Sequence, residues 1–214
     1  MKEIRYPYLG ETWLAALGEV YRAGRTVADE TRELLHLYTT FEKGDFQADP
    51  LLARFGSRRH VEEMRKVFFS AEPNLFGHHY RDGLRGPRGR NDFGDVVELL
   101  RDEPWSKRAL VTLAGCGDGR VPCVSAIHFL QRDEGLLATY FARGQDVFRK
   151  FYADAACIYE AAQRVASALG IPLLAVSGLT SSAHVYLADL AEIRKLLEEV
   201  EALPQEAALP EEVA

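Results

Sequence analysis

Between Arg108 and Ala142 the chain runs through three strand-like stretches in succession. They are RALVTLA, PCVSAIHFLQ and GLLATYFA, and an Asp133–Glu134–Gly135 turn makes the last two a predicted hairpin. Strands this apolar need helices to cover them. DAACIYEAAQRVASALG is the strongest helix in the chain, with Ile158, Tyr159, Ala162, Val165, Ala166 and Leu169 on one side and Gly170 at its end. GETWLAALGEVYRAG, RHVEEMRKVFF, FGDVVELLRDE and LADLAEIRKLLEEVEAL add further helices. RELLHLYTTFE and LLAVSGLTSSAHVYL add further strands. The segment NLFGHHYRDGLRGPRGRND is rich in Gly and Arg and reads as a basic loop. The pattern predicts an α+β fold with a large mixed β-sheet covered by helices. Residues 1–203 form one domain on this reading, and 204–214 an acidic, proline-punctuated tail.

The totals exclude several classes of function. A chain of 214 residues with 47% hydrophobic and 27% charged residues is ordinary for a globular protein. A net charge of −6 argues against nucleic-acid binding as its main work, and leaves room for a local basic pocket. Three cysteines, Cys116, Cys123 and Cys157, with no framework spacing suit a reducing cytoplasm. MKEIRYPYLGETW lacks the apolar stretch of a signal peptide, and no apolar run reaches the roughly 20 residues of a membrane span. The expectation is a cytoplasmic protein with no membrane partner.

Cys123 stands behind Pro122 at the start of a strand. A cysteine there is either a small buried hydrophobe or a nucleophile. The second role needs access and nearby positive charge. Arginine is available at Arg81, Arg85, Arg88, Arg90, Arg108, Arg120 and Arg143. Convergence of several on one point would make a phosphate or carboxylate site. Cys116, Cys123, His78 and His79 lack CxxC spacing, so no metal is expected.

From Phe76 to Tyr186 a set of short motifs, in order and at matching spacings, resembles the thymidylate synthase family. Val121-Pro122-Cys123 matches its Pro-Cys nucleophile motif. Arg143-Gly144-Gln145-Asp146 matches its Arg-Ser-x-Asp. Asp154 occupies its pyrimidine-reading position, and His184 and Tyr186 match its His-x-Tyr. Lys107 and Arg108 in PWSKR match a basic pair, and FGHHYR is similar to Tyr-Gly-x-x-Trp-Arg. The resemblance implies a thymidylate-synthase-like fold whose sheet face forms a homodimer. It implies a Cys123 thiolate that adds to C6 of a pyrimidine nucleoside monophosphate and activates C5 towards 5,10-methylenetetrahydrofolate. Arg143 and Gly144 would lie at the 5′-phosphate, with Lys107 and Arg108 reaching it from the partner subunit. His184 and Tyr186 would bond the sugar 3′-hydroxyl, and Asp146 would line the pocket near the base. Taken singly, the same residues also fit a half-buried strand face, a helix cap and a solvated turn.

The departures from the family pattern are informative. The usual residue at position 154 is Asn, whose carbonyl and amide match uracil. Cytosine reverses both groups, and a carboxyl sharing one proton with N3 satisfies it. The wrong pairing would strand buried polar groups at roughly 1–3 kcal/mol each. The resemblance places Asp in the dCMP and CMP hydroxymethylase branch, so Asp154 predicts a cytosine nucleotide. The alternative is an N-cap for the alanine-rich helix. Phe76 replaces a tyrosine that helps remove the C5 proton, and Tyr80, His78 or His79 could substitute. Gly144 replaces a serine, and Val124 a frequent histidine. A water-organising glutamate is sought at Glu42, Glu62 or Glu63, and an N-terminal phosphate arginine at Arg25 or Arg32. The resulting expectation is folate-dependent C5 hydroxymethylation of CMP or dCMP. The alternatives are C5 methylation of dUMP or a cytidine nucleotide, and a non-catalytic nucleotide-binding relative.

Overall fold

A computed structural model describes residues 1–80, 83–90, 92–113 and 121–203. Arg81, Cys116, Arg120 and the 204–214 tail lie outside the described residues.

The strands are β1 (Lys2–Arg5), β2 (Arg25–Val27), β3 (Thr31–Phe41), β4 (Leu84–Arg85), β5 (Leu110–Leu113), β6 (Val124–Arg132), β7 (Gly135–Ala142), β8 (Gln145–Asp146) and β9 (Leu173–Tyr186). They form one mixed sheet in the order β1-β3-β9-β7-β6-β5-β4, with β2 beside β3 and β8 beside β9. β1 runs parallel to β3, and β7 and β8 run parallel to β9. The helices are α1 (Leu9–Ala23), α2 (Pro50–Phe55), α3 (Arg58–Phe69), α4 (Gly94–Asp102), α5 (Phe151–Leu169) and α6 (Leu190–Glu201). α1 and α5 lie on the sheet. α3 and α4 pack on α5, and α2 and α6 on α1.

Period-two alternation explains how the sheet is covered. Leu37, Thr39 and Phe41 of β3, Val176, Gly178 and Thr180 of β9, and Ala138, Tyr140 and Ala142 of β7 share the face under the helices. α5 is alanine-rich and nearly all buried in its first half, so its backbone comes close to that face. Gly170 ends it in the left-handed region at φ +72°, where a residue without Cβ is unstrained. The opposite face carries Tyr38, Leu179, Phe141 and Leu137. Phe141 and Leu137 there are 38% and 36% exposed.

One irregularity shapes the site. His36, in the middle of β3, adopts φ +57°, a conformation that costs about 1–2 kcal/mol for a residue with a Cβ. Across it the buried side of the ladder switches. Leu37 is buried while Leu35 is 57% exposed; on β9 the buried residues change from Val176, Gly178 and Thr180 to Ala183 and Val185. The switch turns Ser182, His184 and Tyr186 out of the core and leaves them half-buried.

The predicted helices and strands are all present. The 133–135 turn is a hairpin that pairs Arg132 with Gly135. The alanine-rich helix begins three residues before Asp154, at Phe151. The short elements β1, β2, α2, β4 and β8 are found only in the structure. Among the described residues no helix is long and apolar enough to cross a membrane.

Candidate active site

β6 begins at Val124, so Pro122 and Cys123 sit at its mouth. Arg143, one residue past β7, holds this mouth in place. Its backbone N–H donates to the Cys123 carbonyl at 2.9 Å. Its guanidinium donates to the carbonyls of Val121 at 2.8 Å and Pro122 at 3.2 Å. Cys123 is half-buried and unpaired. Burial and the nearby Asp154 push its thiol up, and Arg143 and Lys150 oppose them. The two cations thus favour the thiolate, while burial holds the thiol above its ordinary value.

The segment after Arg143 supplies most of the remaining site. Gly144 lies against the His184 ring; a Cβ there would be 4.0 Å from Cε1. Asp146 pairs with His184 across the β8–β9 ladder. Its Oδ1 accepts the backbone N–H groups of Phe148 and Arg149 at 3.1 and 3.0 Å, so it also shapes the turn into α5. Burial raises its pKa. His184 and Tyr186 stand edge to face with centroids 5.8 Å apart. Arg149 lies over the Tyr186 ring and bonds Asp189 at 2.6 Å, fixing that end of the cleft.

Asp154 is 1% exposed. It is the fourth residue of α5, and its side chain caps no backbone N–H, which removes the N-cap alternative. Gln145 donates an amide N–H to its Oδ2 at 3.2 Å, and the Thr180 hydroxyl donates to the Gln145 carbonyl at 3.0 Å. Oδ1 is buried with no hydrogen-bond partner among the described residues. Burial pushes Asp154 up to about 6, against the opposing Gln145 bond and Lys150.

Tyr80 reaches the same place from the loop after α3. Its ring is buried edge-on to Phe68 at 4.8 Å, and its hydroxyl sits against the backbone of Cys123 and Val124. Burial, then the charges of Asp154 and Cys123, raise its pKa and keep the phenol neutral. Phe76 does not hold this position. It lies under the Lys150 ammonium at 4.7 Å, with the His60 and His78 rings about it.

Other expected residues are elsewhere. Leu110 pairs with His128, so Lys107 and Arg108 sit near the far end of β6, roughly 20 Å from Cys123. There Arg108 pairs with Glu103 at 2.6 Å on the surface. Arg88 and Arg90 are bound to Asp102 and Glu98 of α4. Glu62 bonds Arg58, Glu63 bonds Lys66 and the Leu75 amide, and Glu42 is exposed. None of the three glutamates is drawn to Cys123. Arg32 donates to the Gly24 carbonyl and lies over Tyr21. Arg25 is exposed opposite Glu33 in the β2–β3 ladder. Among the described residues no cluster of His, Cys, Asp and Glu could hold a metal ion.

Sequence reasoning missed Lys150, Gln145 and Thr180. Lys150 did leave a signal: a cation directly before a helix opposes the helix dipole. Gln145 occupied the variable slot of the Arg-x-x-Asp motif, and nothing distinguished Thr180 from its strand neighbours.

No protein-family model matches the chain. Several curated archaeal proteins do. A protein of Methanothermobacter marburgensis named "Putative thymidylate synthase" is 24% identical over 217 residues, 91% of this chain and 97% of that one. A protein of the same name from Methanosarcina mazei is 28% identical over 86% of this chain and 88% of its own length. A third, from Methanothermobacter thermautotrophicus, is 21% identical over 88% of this chain and 95% of its own. The chain is thus similar, at low identity but over most of its length, to proteins named as putative thymidylate synthases.

Proposed function

We propose that the chain transfers a one-carbon unit from 5,10-methylenetetrahydrofolate to C5 of a cytidine nucleotide, CMP or dCMP, and releases the hydroxymethylated product. The observation that carries the reading is the buried Asp154, with one oxygen on Gln145, the other unpartnered, and a pKa near 6. A carboxyl that holds a proton close to neutral pH can donate to cytosine N3 and accept from the N4 amino group. An ionised carboxylate would meet N3 with repulsion.

The residues act in a chemically consistent order. The Cys123 thiolate adds to C6, and the C5=C6 π electrons move towards C5 and N3. The Asp154 proton neutralises the charge that develops at N3. C5 then bonds to the one-carbon unit, which the folate supplies when bound. Tyr80, a neutral phenol at the Cys123 backbone, relays the C5 proton towards solvent. Loss of that proton breaks the bond between the one-carbon unit and the folate nitrogen, so tetrahydrofolate leaves and an exocyclic methylene remains. Water adds to this carbon and gives up a proton to solvent. Expulsion of the Cys123 sulfur as thiolate, with the N3 proton returning to Asp154, restores the C5=C6 bond. Arg143 and Gly144 face the 5′-phosphate on this reading, with Arg25 as the N-terminal arginine. His184 and Tyr186 take the sugar hydroxyl. Asp146 lines the base side. The Phe76 ring, with His60 and His78 beside it, is a platform on which a flat pterin would stack.

A homodimer completes the site. The open sheet face with Tyr38, Leu137, Phe141 and Leu179 is apolar enough to pair with its own copy. Lys107 and Arg108 would then reach the phosphate site across the interface.

The relatives' name favours a second reading, thymidylate-synthase-type methylation of dUMP. Incubation with CMP, dCMP, UMP or dUMP plus methylenetetrahydrofolate separates the two. Hydroxymethylated cytidine product without dihydrofolate is expected; dihydrofolate formed from dUMP establishes the second reading. Tritium release from C5 that Cys123→Ser abolishes is expected as well. A nucleotide that binds without any release of label makes the chain a binding protein and overturns both.

A further inference from the structure

Thr180 of β9, Gln145 of β8 and Asp154 of α5 form a chain in which each residue is 1% exposed. The Thr180 hydroxyl donates to Gln145 Oε1 at 3.0 Å, and Gln145 Nε2 donates to Asp154 Oδ2 at 3.2 Å. The Tyr140 side chain is buried beside this chain, with Thr39 and Gln145 against its hydroxyl, and it fits because Gly178 has no side chain: a Cβ there would overlap the Tyr140 ring.

A carboxylic acid can pair with either pyrimidine. With its O–H facing N3 and its C=O facing the 4-amino group it matches cytosine. With its O–H facing O4 and its C=O facing N3–H it matches uracil. The acid therefore discriminates only if something decides which oxygen carries the proton. Gln145 can decide it. An amide N–H directed at Oδ2 makes that oxygen an acceptor and leaves the proton to Oδ1. The alternative amide orientation would set two acceptors against each other whenever Asp154 ionises. Oδ2 keeps a second lone pair for a further donor.

We infer that Gln145, anchored by Thr180, assigns the Asp154 proton to Oδ1 opposite N3 and thereby selects cytosine over uracil. Gln145 is a positioning residue, acting through Asp154. The inference rests on the cytosine reading proposed above. The ionisable groups that face Asp154 are Tyr80, Cys123, Asp146 and Lys150 on the cleft side, Tyr140 from β7 and Cys157 from α5.

The test compares C5 tritium release from CMP and UMP, or dCMP and dUMP if only deoxynucleotides turn over. Wild type, Gln145→Leu, Thr180→Val and Thr180→Ser are assayed across pH. In Gln145→Leu the cytosine-to-uracil ratio of kcat/KM should fall at least tenfold, mainly through KM. The alkaline limb of the cytosine profile should move to higher pH, because a donor to the ionised acid is gone. Thr180→Val should move both in the same direction by less, and Thr180→Ser should restore them. Simple structural damage lowers both substrates together and moves neither ratio nor limb. If Gln145→Leu does not fold, the two Thr180 variants decide. An unmoved ratio in folded variants of an enzyme that prefers cytosine overturns this inference alone. A wild type that turns over only uracil nucleotides overturns the cytosine reading and this inference with it.

Discussion

Arg143 is joined to Cys123 by a backbone hydrogen bond of 2.9 Å, and its guanidinium fork holds the carbonyls of the two residues before Cys123, Val121 and Pro122. The same guanidinium, with Lys150, favours the thiolate against burial and the charge of Asp154. The residue that fixes the nucleophile's backbone thus also favours its charged form.

Arg143→Lys should separate those two effects. Lysine keeps the charge but has no planar fork to span two carbonyls. The pH dependence of Cys123 alkylation should stay close to wild type because the charge is kept, while C5 tritium release should drop ten- to a hundredfold because the fork is lost. That range matches about 1.5–3 kcal/mol for hydrogen bonds to a charged group. A lysine variant with wild-type alkylation and release would show that the fork is dispensable.

Asp154→Asn should stabilise the protein at neutral and alkaline pH. The folded pKa of about 6 lies above the ordinary 3.8. The acid therefore supports the fold fully below about 3.8, and that support is lost as pH rises through about 6. The gap corresponds to about 3 kcal/mol, an upper figure. The variant's Tm should exceed wild type at pH 8 and match it near pH 3.5. Substrate preference should also turn towards uracil nucleotides. Equal Tm differences at both pH values would contradict the buried-acid account.

Tyr80→Phe should leave the fold intact, because the ring keeps its contact with Phe68. Loss of the hydroxyl at the Cys123 backbone should slow tritium release by about 10²-fold or more, within the usual range for a proton-transfer group. Cys123 alkylation should change little. A variant with unaltered release would return the proton-transfer role to another group.

Phe141→Glu should test the open sheet face. A charge in the centre of an apolar interface is strongly unfavourable. The variant should elute as a monomer in size-exclusion chromatography, with release lost because Lys107 and Arg108 no longer arrive. Mixing it with an active-site-dead Cys123→Ser protein should not recover activity. A variant that remains dimeric would move the interface elsewhere on the surface.

Much of the candidate site could be proposed from the sequence because the motif spacings are local to single strands and turns. Cys123, Arg143, Asp146, Asp154, His184 and Tyr186 could be named from order and distance along the chain. The exchange of Phe76 for Tyr80 left several substitutes open, and only packing selected among them. Phe76 went to Lys150, and Tyr80 to the Cys123 backbone. Of Arg25 and Arg32, Arg32 donates to the Gly24 carbonyl, a contact that its sequence position does not reveal.

The amino-acid sequence alone determined the element types, because alternation and helical spacing are properties of neighbouring residues. It also determined which residue types stand in each motif, including the exchange of Asn for Asp at position 154. Tertiary structure decided what those residues experience. The left-handed His36 turns His184 and Tyr186 into the cleft, although the alternation of β9 alone would bury them. Thr180, Gln145 and Asp154 come from three separate elements, and burial among them pushes the Asp154 pKa up to about 6 against the opposing Gln145 bond. Burial and through-space charge depend on the assembled fold, and no local pattern in the chain records them.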